Sequence, residues 1–139
     1  MTAVGPAATA FLAAAAWHAG FQVTVTALVY PVLAQVPAVD WRRRHDRHSR
    51  GIVPLVVLTY GALVLTSVPF ALHHHGVAAW LGVLGAWGAM LVTALAAAPT
   101  HARLETPEPR LLRRLLLVDR LRAVLACVGL VGAIAAVVG

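Results

Sequence analysis

Four apolar stretches fill most of this 139-residue chain and leave it little freedom in how to fold. A transmembrane helix takes about 20 mainly apolar residues. The stretches 6–30, 52–72, 77–98 and 115–138 meet that requirement. Charged residues are only 12% of the chain, against about 25% in a soluble domain. Backbone groups inside hydrocarbon must satisfy one another, which a helix does within its own segment. The connections are short, so consecutive helices run antiparallel. The expected fold class is all-α: one domain over residues 1–139, a four-transmembrane-helix up-down bundle.

Prolines and glycines punctuate the spans. Pro6 suits a first helical turn. Pro31 is expected to kink or break the first span, and Pro37 to end its extension. Pro54 and Pro69 are expected to fall near the ends of the second span, each a candidate kink. Gly82, Gly85 and Gly88 permit close helix approach in the third span, and Gly129 and Gly132 lie on the fourth. Asp40 is the expected N-cap of a helix that starts at Trp41 and continues into Ile52. Thr106-Pro107-Glu108 reads as the start of the last helix. Met1-Thr2-Ala3-Val4-Gly5-Pro6 carries no basic residue before a run longer than a signal peptide's, so the first span is read as uncleaved. The lone Cys127 reads as a packing residue.

Charge sets the orientation. All eleven basic residues are arginines, lying within 42–50 and 103–122. Clustering beside apolar runs is a topology signal, and it argues against nucleic acid as a partner. The positive-inside rule puts both Arg-rich connections in the cytoplasm and both termini outside. The five acidic residues gather at the same end. The Arg-only, Ala-rich bias fits a GC-rich bacterial genome, and the expected location is the bacterial inner membrane, multi-pass.

Several polar residues inside or beside the spans are candidates for chemistry. His18, Gln22, Thr26 and Tyr30 recur every four residues and share a helix face. A histidine and a glutamine at that depth are costly unless partnered inside the bundle. His45 and His48 lie one turn apart, and two such imidazoles can share a metal ion. Thr93, Ala97 and His101 share a face of the third helix, so topology brings His101 to the level of His45, His48 and Tyr30. The expected metal ligands are His45, His48 and His101, with His18 as a fourth if it reaches them. Asp119 and Arg122 lie three apart and could pair with each other; Asp119 could also orient a liganding imidazole, Arg122 is expected to hold an anionic substrate group, and Tyr30 to act beside them. Gln22, Thr26 and Thr93 are expected to line the substrate pocket. His73-His74-His75 reads as a non-functional outer turn, Trp41 as an interfacial anchor, and Trp17, Trp80 and Trp87 as packing or belt residues.

The ordered features Tyr30-Pro31, His45 after an aromatic-led turn, Thr93…Pro99-x-His101-x-x-Leu104 and Asp119-Arg120-Leu121-Arg122 resemble a family of small four-helix bacterial membrane proteins. The nearest group is the anthrone-oxygenase-like membrane proteins. The chain departs from that pattern at Arg44 and Asp119, where an aromatic and the first member of an amide-aromatic pair are expected. The resemblance implies oxidation of a small lipophilic molecule, often in secondary metabolism.

Two functions are weighed. One is a membrane-bound oxidoreductase or monooxygenase with a His-ligated transition metal, copper or iron ahead of zinc, or a cofactor-free variant with His18 or His45 as general base. The other is a non-catalytic membrane subunit, assembly factor or small-molecule binder whose histidines form a structural seam. Haem ranks lower, because only His18 sits clearly at mid-membrane depth. The expected partners are the lipid bilayer, a lipophilic small-molecule substrate, and a second copy of the chain or another membrane protein.

Overall fold

The computed structural model describes residues 4–139. The reading of the N-terminus as free of basic residues falls partly on residues 1–3, outside that range. Four helices are long and apolar enough to cross a membrane: Pro6–Ala34, Ala38–His73, Val77–Ala102 and Pro109–Val138. No strand occurs among the described residues. Only 22–28% of each helix's apolar window is buried within the bundle. The remainder is apolar side chain facing outward, such as Leu28, Leu65, Leu95 and Val131. A surface of that kind is stable in hydrocarbon and not in water.

The third and fourth helices approach most closely. A Cβ built on Gly85 would lie 2.5 Å from the Gly129 backbone nitrogen, and one on Gly82 3.0 Å from that of Ala133. Lipid supplies no hydrophobic drive between helices, so close backbone packing by small residues does this work. The first helix packs against the second and the fourth. Phe11, Leu63 and Phe70 fill one half of the core, and Trp41, Leu104 and Leu115 the other.

One helix start differs from expectation, and no proline breaks the helix it lies in. The second helix begins at Ala38, and Pro37, not Asp40, holds its N-cap position. It runs to His73 without interruption, so Pro54 and Pro69 are both accommodated inside it. Pro31 does not break the first helix. A π-helical turn, Val25–Val29, precedes it, and helix resumes over Tyr30–Ala34. The third helix does the same: Thr93–Ala97 is π-helical and Pro99 follows within Ala98–Ala102. In both, the residue just before the proline closes the wide turn, Tyr30 N–H donating to the Val25 carbonyl and Ala98 N–H to that of Thr93. A proline cannot donate, and its ring crowds the preceding turn; a π turn relieves that crowding.

The π turn also aims side chains. An α-helix advances about 100° per residue, so a stripe of every fourth residue drifts by about 40° per step. The extra residue of the π turn offsets that drift. His18 and Gln22 above it and Tyr30 below it are consequently all buried.

Candidate functional site

Polar groups inside the bundle form two neighbouring sets, with Tyr30 beside Arg122 where they meet. The inner set is centred on Asp119, which is 1% exposed. Gln22 Nε2 donates to its Oδ1 at 2.7 Å and Thr26 Oγ1 to its Oδ2 at 2.5 Å. Arg122 Nη1 donates to Oδ1 at 3.1 Å. Arg122 Nη2 reaches the Tyr60 hydroxyl at 3.3 Å, and that hydroxyl pairs with Thr93 Oγ1 at 2.5 Å. All four helices therefore contribute to one network. A buried ion pair survives in such surroundings when further hydrogen bonds satisfy its remaining atoms.

This geometry corrects four expectations. Asp119 does not orient an imidazole, because both its oxygens are taken by Gln22, Thr26 and Arg122. Arg122 is held by Asp119 and Tyr60, so its Nη atoms are committed inside the protein. Gln22, Thr26 and Thr93 are network members and do not line the large cavity described below. His18 packs edge-on against Tyr60 with ring centroids 5.7 Å apart. It lies about 18 Å of helical rise from Tyr30 and does not join the other histidines.

The second set sits at the arginine-rich end. His45 and His101 have ring centroids 4.3 Å apart, and His48 and His101 5.7 Å. Tyr30 lies against two of these rings, 5.9 Å from His48 and 6.4 Å from His101. The residues come from three helices, and the expected convergence of His45, His48, His101 and Tyr30 is present. Trp41 is not the surface anchor expected. It is 1% exposed, stacks on His45 at 5.2 Å and donates from Nε1 to the Leu104 carbonyl at 3.0 Å. It thereby fixes the connection between the third and fourth helices beside the histidines.

Each set holds three buried polar atoms without a hydrogen-bond partner. His45 Nε2, His48 Nε2 and His101 Nδ1 are buried and have no hydrogen-bond partner. Such atoms are uncommon and each calls for an explanation. The inner set leaves His18 Nε2, Gln22 Oε1 and Arg122 Nε unpaired, but Gln22 and Arg122 are each anchored through another atom. Two imidazoles binding one ion at about 2.1 Å place their ring centroids roughly 5 Å apart. The observed 4.3 and 5.7 Å straddle that spacing. Among the described residues, no group of three or more His, Cys, Asp or Glu side chains is placed to hold a metal ion. A metal at this cluster would require the rings to turn.

A cavity of about 710 Å³ opens beside this cluster, with Trp41, Arg42, His45, Asp46, Leu104 and Glu105 in its wall. That volume falls within the usual range for small-molecule sites. Its wall mixes apolar and charged groups. It lies between the start of the second helix and the connection that precedes the fourth.

Other residues play smaller parts. Trp17 donates to Thr59 Oγ1 at 2.8 Å and Trp87 to Ser67 Oγ at 3.1 Å, so two tryptophans tie the second helix to its neighbours. His73 and His74 bond backbone carbonyls of their own helix. Cys127 is exposed on the outward face instead of packed within. Sequence reasoning missed Tyr60 and Ser49. Tyr60 sits in an apolar run with no polar companion at helical spacing. Ser49 lies four residues after His45, a spacing that could have drawn notice. No family model, curated protein or solved structure matches the chain.

Proposed function

We propose that this chain is a multi-pass protein of the bacterial cytoplasmic membrane, with both termini outside, and that His45, His48 and His101 hold a transition metal for oxidation of a small lipophilic substrate. The reading is carried by one observation: three buried imidazole nitrogens from two helices, all unpaired, within one cluster. Imidazole suits copper, iron and zinc alike; copper and iron are preferred because the reaction class is redox. Such an ion supplies redox cycling or oxygen activation when bound.

The chain's own residues supply the setting. Trp41 stacks on His45 and limits its rotation. Tyr30 packs against His48 and His101 and holds those rings in place. The cavity beside His45 has both apolar and charged walls, which suits a substrate that partitions into the headgroup region and carries a polar group. This changes the expected role of Arg122: its place in the inner network makes it a structural cation, and Arg42 in the cavity wall is the one available to a substrate anion.

Metal analysis of detergent-purified protein tests the reading. Near-stoichiometric copper or iron, lost in His45→Ala and in His101→Ala, is the expected result. A Soret band would replace it with haem. A second reading, a non-catalytic subunit or binder, is favoured by the inner network itself. That network joins all four helices through hydrogen bonds among its own side chains.

A further inference from the structure

Ser49 occupies a position that decides which nitrogen His101 presents. Its Oγ lies 2.9 Å from the His45 carbonyl oxygen, one turn back on the same helix, and 2.9 Å from His101 Nε2 on the third helix. A serine hydroxyl has one proton and two lone pairs. A carbonyl oxygen only accepts, so the hydroxyl proton goes to His45 O. At His101 the Ser49 oxygen must then accept, and Nε2 must carry the proton.

Neutral imidazole has one N–H and one lone pair. With the proton on Nε2, the lone pair falls on Nδ1. That is the buried atom of His101 left without a partner. The opposite assignment would bury an unpaired Nδ1–H donor and leave the Ser49–His45 contact without a proton. Orphaned buried donors are rarer than under-used acceptors.

We propose that Ser49 is a positioning residue that locks His101 as the Nε2–H tautomer and directs the Nδ1 lone pair into the histidine cluster. This is the part once expected of Asp119. It rests on the metal reading only for its consequence, that Nδ1 is the ligand atom. Partners of this kind fix the tautomer and ring orientation of liganding histidines, and their loss costs 10–100-fold in metal affinity. Ser49 also links the two helices that carry the three imidazoles.

The tautomer is measurable without metal. Full-length protein is labelled with ¹⁵N-histidine, reconstituted in lipid nanodiscs and examined by long-range ¹H–¹⁵N NMR at a pH where His101 is neutral, with His101→Asn assigning its resonances. The expected spectrum has a protonated Nε2 and an unprotonated Nδ1. Ser49→Ala should give a mixture or the reverse tautomer, and Ser49→Thr, which keeps the hydroxyl, should restore the wild-type pattern. With copper(II) as the probe, affinity should fall about 10–100-fold in Ser49→Ala and hold in Ser49→Thr. A wild-type His101 protonated on Nδ1 overturns the proposal and leaves the metal reading standing. A wild-type chain that has the predicted tautomer but binds no copper, iron or zinc supports the lock and overturns Nδ1 as a ligand along with the metal reading. Unchanged tautomer in Ser49→Ala overturns the assignment to Ser49.

Discussion

The inner network and the outer histidine cluster are built from similar residue types at different depths, and they resolve opposite problems. Around Asp119 a buried charge pair has two further donors to the carboxylate, Gln22 and Thr26, and one acceptor for the guanidinium, the Tyr60 hydroxyl. Around His101 the groups are imidazole rings packed on it from either side, and one nitrogen of each ring is buried and unpaired. A network that links all four helices through its own side chains holds the bundle together. The outer cluster lies next to a cavity that His45 lines, which suits the binding role proposed for it. Burial alone would rank Asp119 and Arg122 as the site, because both are more buried than any of the three histidines. The charges of Asp119 and Arg122 are paired with each other, whereas among the described residues the three imidazoles have no charged partner closer than Asp46, 3.9 Å from His45.

Perturbing each set should break the bundle in one case and empty the site in the other. The largest stability effect is expected for Asp119→Leu, which leaves Arg122 charged and unpaired inside the bundle. Loss of one partner from a buried pair costs about 3–5 kcal/mol. It should appear as a sharply lowered thermal midpoint in detergent, and Arg122→Met in the same chain should recover much of it. If the single variant melts like wild type, the inner set is not structural glue.

Next comes Gly85→Val, which drives a side chain into the Gly129 backbone. Overpacking of this kind costs about 1–3 kcal/mol, and the same melt reads it. It controls for the comparison, because it damages the bundle without touching either polar set.

A smaller effect is expected for His45→Ala. It removes the stacking on Trp41, worth at most about 1.5 kcal/mol, and relieves one unpaired nitrogen. Its melt should stay near that of wild type while metal content collapses. A melt as damaged as that of Asp119→Leu would make the outer cluster structural too. The smallest is Trp17→Phe, which deletes the bond to Thr59. Side-chain hydrogen bonds between membrane helices average about 0.6 kcal/mol, so a shift near the resolution of the melt is the expected outcome.

The sequence carries the helices more legibly than the site. Runs such as 115–138 have no stable state in water or lipid other than a helix, so length and hydropathy suffice. The prolines were harder. Pro31 and Pro54 look alike as residues, yet one follows a π turn and the other sits in regular helix. The convergence of His45, His48, His101 and Tyr30 was legible from topology, because short connections bring the same ends of antiparallel helices together.

Rotation about each helix axis was not legible. It turned Trp41 inward onto Leu104 and His45, and it turned Asp119 towards Gln22 and Thr26 and away from any imidazole. Tyr60 had no signal of its own, since an isolated tyrosine in an apolar run reads as packing. Its partners Arg122 and Thr93 lie 62 and 33 residues away.

The most direct test is the metal content of full-length protein purified in mild detergent after equilibration with copper, iron or zinc. It is measured for wild type, His45→Ala, His48→Ala, His101→Ala and, as the contrast from the inner set, Gln22→Leu. The account predicts near-stoichiometric metal in wild type and Gln22→Leu, with strong loss in all three histidine variants. A wild type without metal, or histidine variants that retain it, would contradict the claim that the outer cluster is the binding site.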